Sequence, residues 1–179
     1  MQFVFLEPIE RLFTAKSPAY RELNSTKPDD LPPRSFVIAS FSLLLNGIEA
    51  LGSFLTSKGA HNKVRFFAFV EKYMKPWDAA VQNSPMGTAN LKEILWDHFR
   101  NGIAHGFCID HGGIDNEADT APGWRVVTDA SGMATHLEIG PNAFFRDFRT
   151  GVGLFFGDLK TDPVHRAAFL SRLQEVYPT

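Results

Sequence analysis

Cysteine is almost absent from this chain. Cys108 stands alone among 179 residues, so no internal disulfide can form, and a reducing, cytoplasmic setting is expected. An excess of one charge is also lacking. The formal net charge is -2, and the basic residues are scattered rather than clustered. That excludes a surface built to coat a polyanion, but leaves room for a compact site that holds one or two phosphates. Long apolar runs are missing too. The most apolar stretch, Phe36 to Leu55, contains Asn46 and Glu49, whereas a membrane span needs roughly 20 mostly apolar residues. No membrane association is expected. The opening Met1-Gln2-Phe3-Val4-Phe5-Leu6-Glu7-Pro8 has neither the basic start nor the cleavage pattern of a secretory signal. There is no internal repeat, no low-complexity tract, no nucleophile elbow, no P-loop and no dinucleotide fingerprint. Gly151-Val152-Gly153 is too short to count as one.

What remains is an ordinary globular composition, 44% apolar, in a chain long enough for one domain over residues 1–179 and too short for two. Residues 3–16 read as a short helix, and 24–33 as a loop rich in proline and polar groups. The clearest helix follows. Ser35 is its expected cap, and Lys58-Gly59 its expected stop. Between them, Val37, Phe41, Leu44, Ile48, Leu51 and Leu55 repeat at alternating steps of four and three, the seam of a helix in a bundle or across a dimer. A third helix is expected from Asn62 to Lys75, ended by Pro76, and a fourth over about 91–107, with Asn90 as its cap and Glu93 completing a capping box. Residues 108–123 read as a loop. Two alternating stretches, 124–128 and 135–139, are separated by Asp129-Ala130-Ser131-Gly132 and read as a hairpin. Pro141-Asn142 opens another helix, in which Gly151 and Gly153 are unfavourable. Asp162-Pro163 caps the last one.

The fourth helix carries the groups that could do chemistry. Leu95-Trp96-Asp97-His98-Phe99-Arg100-Asn101-Gly102-Ile103-Ala104-His105-Gly106-Phe107 puts an arginine, an amide and two histidines inside an apolar segment. An amphipathic helix normally fills that face with aliphatics. Glu49, beside the seam of the earlier long helix, is either a solvated flank residue or the partner of Arg100 or His105 from a neighbouring helix.

Arg100, Asn101 and His105 form an Arg-x4-His pattern with a polar residue directly after the arginine. This resembles the signature of the HEPN superfamily (higher eukaryotes and prokaryotes nucleotide-binding domain), and the trailing Gly106-Phe107 is similar to many members. Glu49 falls where the family often has an acidic residue on an earlier long helix. The resemblance covers about residues 35–107. It implies an all-α fold, an up-and-down helical bundle that dimerises; the small β-hairpin near residues 124–139 is not part of the family's minimal core and is expected as an insertion. In active members it implies a metal-independent endoribonuclease with an RNA substrate, often a toxin or defence effector with a cognate antitoxin.

The chemistry would be attack by the RNA's own 2′-hydroxyl, leaving a 2′,3′-cyclic phosphate. His105, with an ordinary pKa of about 6.5, suits general acid–base work. Arg100 is permanently charged and forked, and suits the phosphate oxygens in the transition state. Asn101 would orient the histidine or bind the phosphate. Glu49 would hold Arg100 or fix the histidine tautomer. No metal and no cofactor would be needed. Five residues rotate about 140° along an ideal α-helix, so Arg100 and His105 do not share a face by spacing alone. The reach of arginine, a distortion at Gly102, or a twofold axis pooling both subunits would have to unite them. Two other readings compete. One is an inactive HEPN-like module that binds nucleotide or protein. The other is a metal site made by His98 and His105, seven apart on one stripe, with Asp97, Asp110 and His111 nearby. His61, His136 and His165 show no evident partners in the sequence.

Overall fold

The computed structural model describes residues 34–87, 90–106, 109 and 111–176. The expected helix over 3–16 and the loop over 24–33 lie outside them. The described chain begins in α1 (Arg34–Gly52), followed by α2 (Asn62–Tyr73). A 3-10 turn, Lys75–Trp77, leads toward a helix in three consecutive parts. These are α3 (Leu91–Ile94), a π-helical segment (Leu95–Arg100) and α4 (Asn101–Gly106). Then come β1 (Gly112–Ile114), β2 (Trp124–Thr128) and β3 (Ala134–Ile139), and finally α5 (Pro141–Thr161) and α6 (Pro163–Val176).

The all-α expectation is overturned. The strands form a three-stranded mixed sheet in the order β1-β3-β2, with β3 antiparallel to β2 and parallel to β1. The hairpin therefore does not stand alone. It accepts a strand from the stretch that reads as loop. Gly112-Gly113-Ile114 is too short and too rich in glycine to show the two-residue alternation that marks a strand in sequence. Its pairing comes from the open edge of β3, where Gly112 lies opposite Leu137 and Ile114 opposite Ile139. Nor is the sheet a surface embellishment. Leu137 and Ile139 are fully buried and belong to the same core as the helices. The fold is mixed α and β, with helices packed on one another and on one face of a small sheet.

The core is built from the seam of α1. Phe41, Leu44 and Ile48 are fully buried there, together with Phe66, Phe69 and Val70 of α2, Phe99, and Phe144, Phe148, Val152 and Phe155 of α5. Aromatic rings carry much of it. Phe41 meets Phe144 at 4.6 Å, and Trp77 meets Phe144 edge-on at 4.7 Å, geometries that add to plain area burial. Two glycines set helix spacing. A Cβ on Gly52 would come within 1.8 Å of the Arg65 carbonyl oxygen, so α1 and α2 touch backbone to backbone there. A Cβ on Gly151 would meet the Tyr73 carbonyl at 3.0 Å, so this glycine serves the contact of α5 with α2 rather than interrupting its helix.

Helix ends follow their local chemistry. His61 caps α2 by accepting from the Lys63 N–H at 3.3 Å. Asn90 caps α3 by accepting from the Lys92 N–H at 3.0 Å. Asp162 caps α6, accepting from the N–H groups of Val164 and His165 at 2.9 and 3.1 Å. Two expectations for α1 need correction. Ser35 lies inside the helix, not ahead of it, and the α-helical ladder ends at Gly52, well before Lys58-Gly59. Beyond Gly52 the chain tightens into shorter turns, with Phe54 N–H bonded to Leu51 and Leu55 N–H to Gly52. No helix among the described residues is long and apolar enough to cross a membrane.

Candidate functional site

Glu49 and Arg100 meet. Arg100 Nη2 donates to Glu49 Oε2 at 3.0 Å, and the two side chains are 21% and 16% exposed. The ion pair joins α1 to the end of the π-helical segment. Arg100 Nη1 also donates to Asn101 Oδ1, at 3.3 Å. Beneath the guanidinium lies the Trp96 ring, with the charged carbon 4.8 Å from its centroid. That is a cation–π contact on a nearly buried indole. Three neighbours thus fix one arginine: a carboxylate across the helix pair, an amide next along the chain, and an aromatic face below.

The π-helical turn bears directly on this arrangement. The Asn101 N–H donates to the carbonyls of Trp96 and His98, so the ladder reaches five residues back in this turn rather than four. Such turns recur at functional sites because they re-aim the side chains that follow. The distortion that the sequence would place at Gly102 lies upstream of it, in the turn that ends on Arg100. Everything after Arg100 is phased differently from a continuous α-helix. Asp97 is committed elsewhere, paired with Lys63 at 3.0 Å. Among the described residues, no group of three or more histidine, cysteine or acidic side chains is placed to hold a metal.

His105 lies in α4, five residues beyond Arg100. Its side chain is outside the described set, as are Cys108 and Asp110. The structure therefore brings together three of the four expected site residues, Glu49, Arg100 and Asn101. It places the backbone of the fourth in the next helical segment. Trp96 was not foreseen in this role. Its signal was available: an aromatic residue four positions before an arginine on a helix is within contact spacing. Of the histidines without evident partners, His61 is the α2 cap. His136 stands within 3.0 Å of both Thr135 Oγ1 and Glu138 Oε1. His165 is buried near the start of α6.

No protein-family model matches the chain, and comparison with curated proteins and with solved structures gives no match.

Proposed function

We propose that the protein is a cytoplasmic, metal-independent endoribonuclease of HEPN type, cutting RNA by attack of the 2′-hydroxyl to leave a 2′,3′-cyclic phosphate. One observation carries this reading: the clamp on Arg100 made by Glu49, Asn101 and Trp96. A surface cation serving only solubility would be mobile and solvated. A guanidinium held in a fixed orientation, with part of its N–H fork still reachable from solvent, is prepared to receive a phosphate at little further ordering cost. Glu49 uses one corner of the fork and positions the rest. His105, next along the same helix, supplies the proton transfers. In the first step it takes the proton from the 2′-hydroxyl, or gives one to the departing 5′-oxygen. A second group, or the same histidine of a paired subunit, completes the exchange. Arg100 stabilises the charge that builds on the phosphate oxygens.

A homodimer belongs to the same reading, since a twofold axis would pool the two copies of Arg100 and His105. The α1 seam foreseen as a bundle or dimer contact is spent inside the subunit, where Phe41, Leu44 and Ile48 are fully buried. A second stripe, the apolar Ala39, Leu43 and Ala50 with the polar Asn46 among them, is left on the outside of the same helix. Leu43 is 48% exposed. This spacing of four, three and four is that of a helix seam.

The test is cleavage of a labelled mixed-sequence RNA in excess EDTA. The intact protein should cut and leave cyclic-phosphate ends. His105→Ala should slow cleavage by about 10²–10⁴-fold, and Arg100→Ala by about 10²–10³-fold, both as folded dimers. Absence of cleavage by the intact dimer would leave the clamp as a binding or structural feature and sink the enzyme reading.

A further inference from the structure

The last helix, α6, is lightly held. Val164 is 77% exposed and Leu170 49%, and His165 alone is buried among the described residues of this helix. Two rings dock it. His165 stands edge-on to Phe155 of α5, at 5.4 Å between centroids, and Phe169 lies 4.6 Å from Phe54, in the turn after α1. Its first turn is tied only to the end of the preceding helix, where Arg166 donates to the carbonyls of Leu159 and Lys160. We propose that α6 is an acid-released latch: protonation of His165 undocks the helix from Phe155 and Phe54, and it swings about its junction with α5 at Asp162.

The docked position has no place for a charge. His165 is 9% exposed, and Nδ1 and Nε2 are both shut off from solvent with no hydrogen-bond partner among the described residues. A neutral imidazole in that setting forgoes the hydrogen bonds of one donor and one acceptor. An imidazolium would bury a full charge and two unpaired N–H groups, which costs far more. Protonation therefore favours the state in which the ring reaches water, and proton uptake and opening are linked.

The neighbouring charges do not repair this. On α2, Glu71 pairs with Lys92, and Lys72 pairs with Asp158 of α5. Tyr73 donates to the same Asp158 oxygen at 2.8 Å. Lys75 lines the groove beside the ring and adds another positive charge. Asp162 Oδ1 already accepts from the first N–H groups of α6, and Arg166 beside the ring is a cation. Burial first and the Lys72 charge second push the His165 pKa down, past the opposite pull of Asp158 and Asp162. The rest of the core does not depend on the latch. Phe155 keeps Tyr73 at 5.7 Å and Phe69 at 6.3 Å when α6 leaves, so the opening is local rather than global.

The experiment is hydrogen exchange of the full chain, read by mass spectrometry at about pH 5.5 and about pH 7.5, with rates corrected for the intrinsic pH dependence of amide exchange. Both conditions lie above the ordinary carboxylate range, so Asp158 and Asp162 keep their charge. Amides of α6 should lose about tenfold in protection at the lower pH, the linkage of one proton to a group whose ordinary pKa is 6.5. Those of α2 and α5 should hold theirs. His165→Phe keeps a ring against Phe155 and should make α6 protection equal at both pH values. Phe169→Leu weakens the second docking ring and should lower α6 protection at both, with the tenfold ratio retained. The proposal is overturned if α6 of the intact chain is equally protected at both pH values, or if α2 and α5 lose protection in step with it. It is overturned equally by a ratio that persists in His165→Phe or vanishes in Phe169→Leu. Arg100→Ala should show the same α6 ratio, so the latch and the ribonuclease reading stand or fall separately.

Discussion

At the scale of single residues, the Glu49–Arg100 pair tests whether position or mere charge matters. Glu49→Gln keeps the shape but removes the charge that holds the guanidinium. On the ribonuclease reading Glu49 is a positioning residue. The substitution should lower the rate by about tenfold, while the pH midpoint of cleavage, set by His105, stays where it is. Because both partners are partly exposed, the cost in stability should be only about 1 kcal/mol, measured by urea unfolding. A shift of the pH midpoint would instead place Glu49 on the histidine. His165 gives a second residue-level expectation. The folded chain keeps it neutral below its ordinary pKa of 6.5, through burial first and Lys72 second, against the opposing pull of Asp158 and Asp162. The unfolded chain takes up a proton there. Stability should therefore rise as the pH rises toward about 6.5 and level off above it. His165→Phe should flatten the part of this slope that His165 contributes, read as melting temperature between about pH 5 and pH 7.

At the scale of elements, close approach and capping dominate. Gly52→Ala puts a methyl group into the Arg65 carbonyl, a backbone atom that cannot swing aside. It should destabilise the chain by about 2–4 kcal/mol, forcing α1 and α2 apart. The same change at Gly151 meets its neighbour at 3.0 Å and should cost less. Chemical denaturation of both variants would show the order, and an equal cost would mean that the α1–α2 contact is looser than described. Asp162→Ala removes the acceptor for two N–H groups of α6 and should cost about 1 kcal/mol. Several of these features were legible in the sequence. The Asn90 and Asp162 caps and the hairpin ends carry local signals, since the groups that make them are neighbours in the chain. The π-helical turn was not legible. Nothing in Leu95 to Arg100 breaks the helical pattern, and the extra residue shows only in the hydrogen-bond ladder.

At the scale of the molecule, the ribonuclease reading calls for two subunits. If the outer stripe of α1 is the dimer seam, Leu43→Glu should yield a folded monomer by sedimentation, because Leu43 is half-exposed and its loss leaves the core intact. Cleavage should be lost together with the dimer, since the proposed site draws on both copies. A dimer that persists in this variant would move the interface elsewhere. The sheet also belongs to this scale. It closes the core with Leu137 and Ile139, and β1 can pair only because the chain returns beside β3.

The sequence by itself determined the helical segments from residue 34 on, the Asn90 and Asp162 caps, the hairpin and the grouping of Arg100, Asn101 and His105 on one stretch. Each of these depends on residues within a few positions of one another. It also brought Glu49 forward with two alternatives, solvated flank or partner of Arg100 or His105. The tertiary structure decided between them, because only the packing of α1 against the π-helical turn fixes a 3.0 Å contact between residues so distant in the chain. It likewise decided the third strand, the close approach at Gly52 and the burial of His165. In each, a residue's role is set by a neighbour that arrives from elsewhere in the fold, and local pattern carries no record of that arrival.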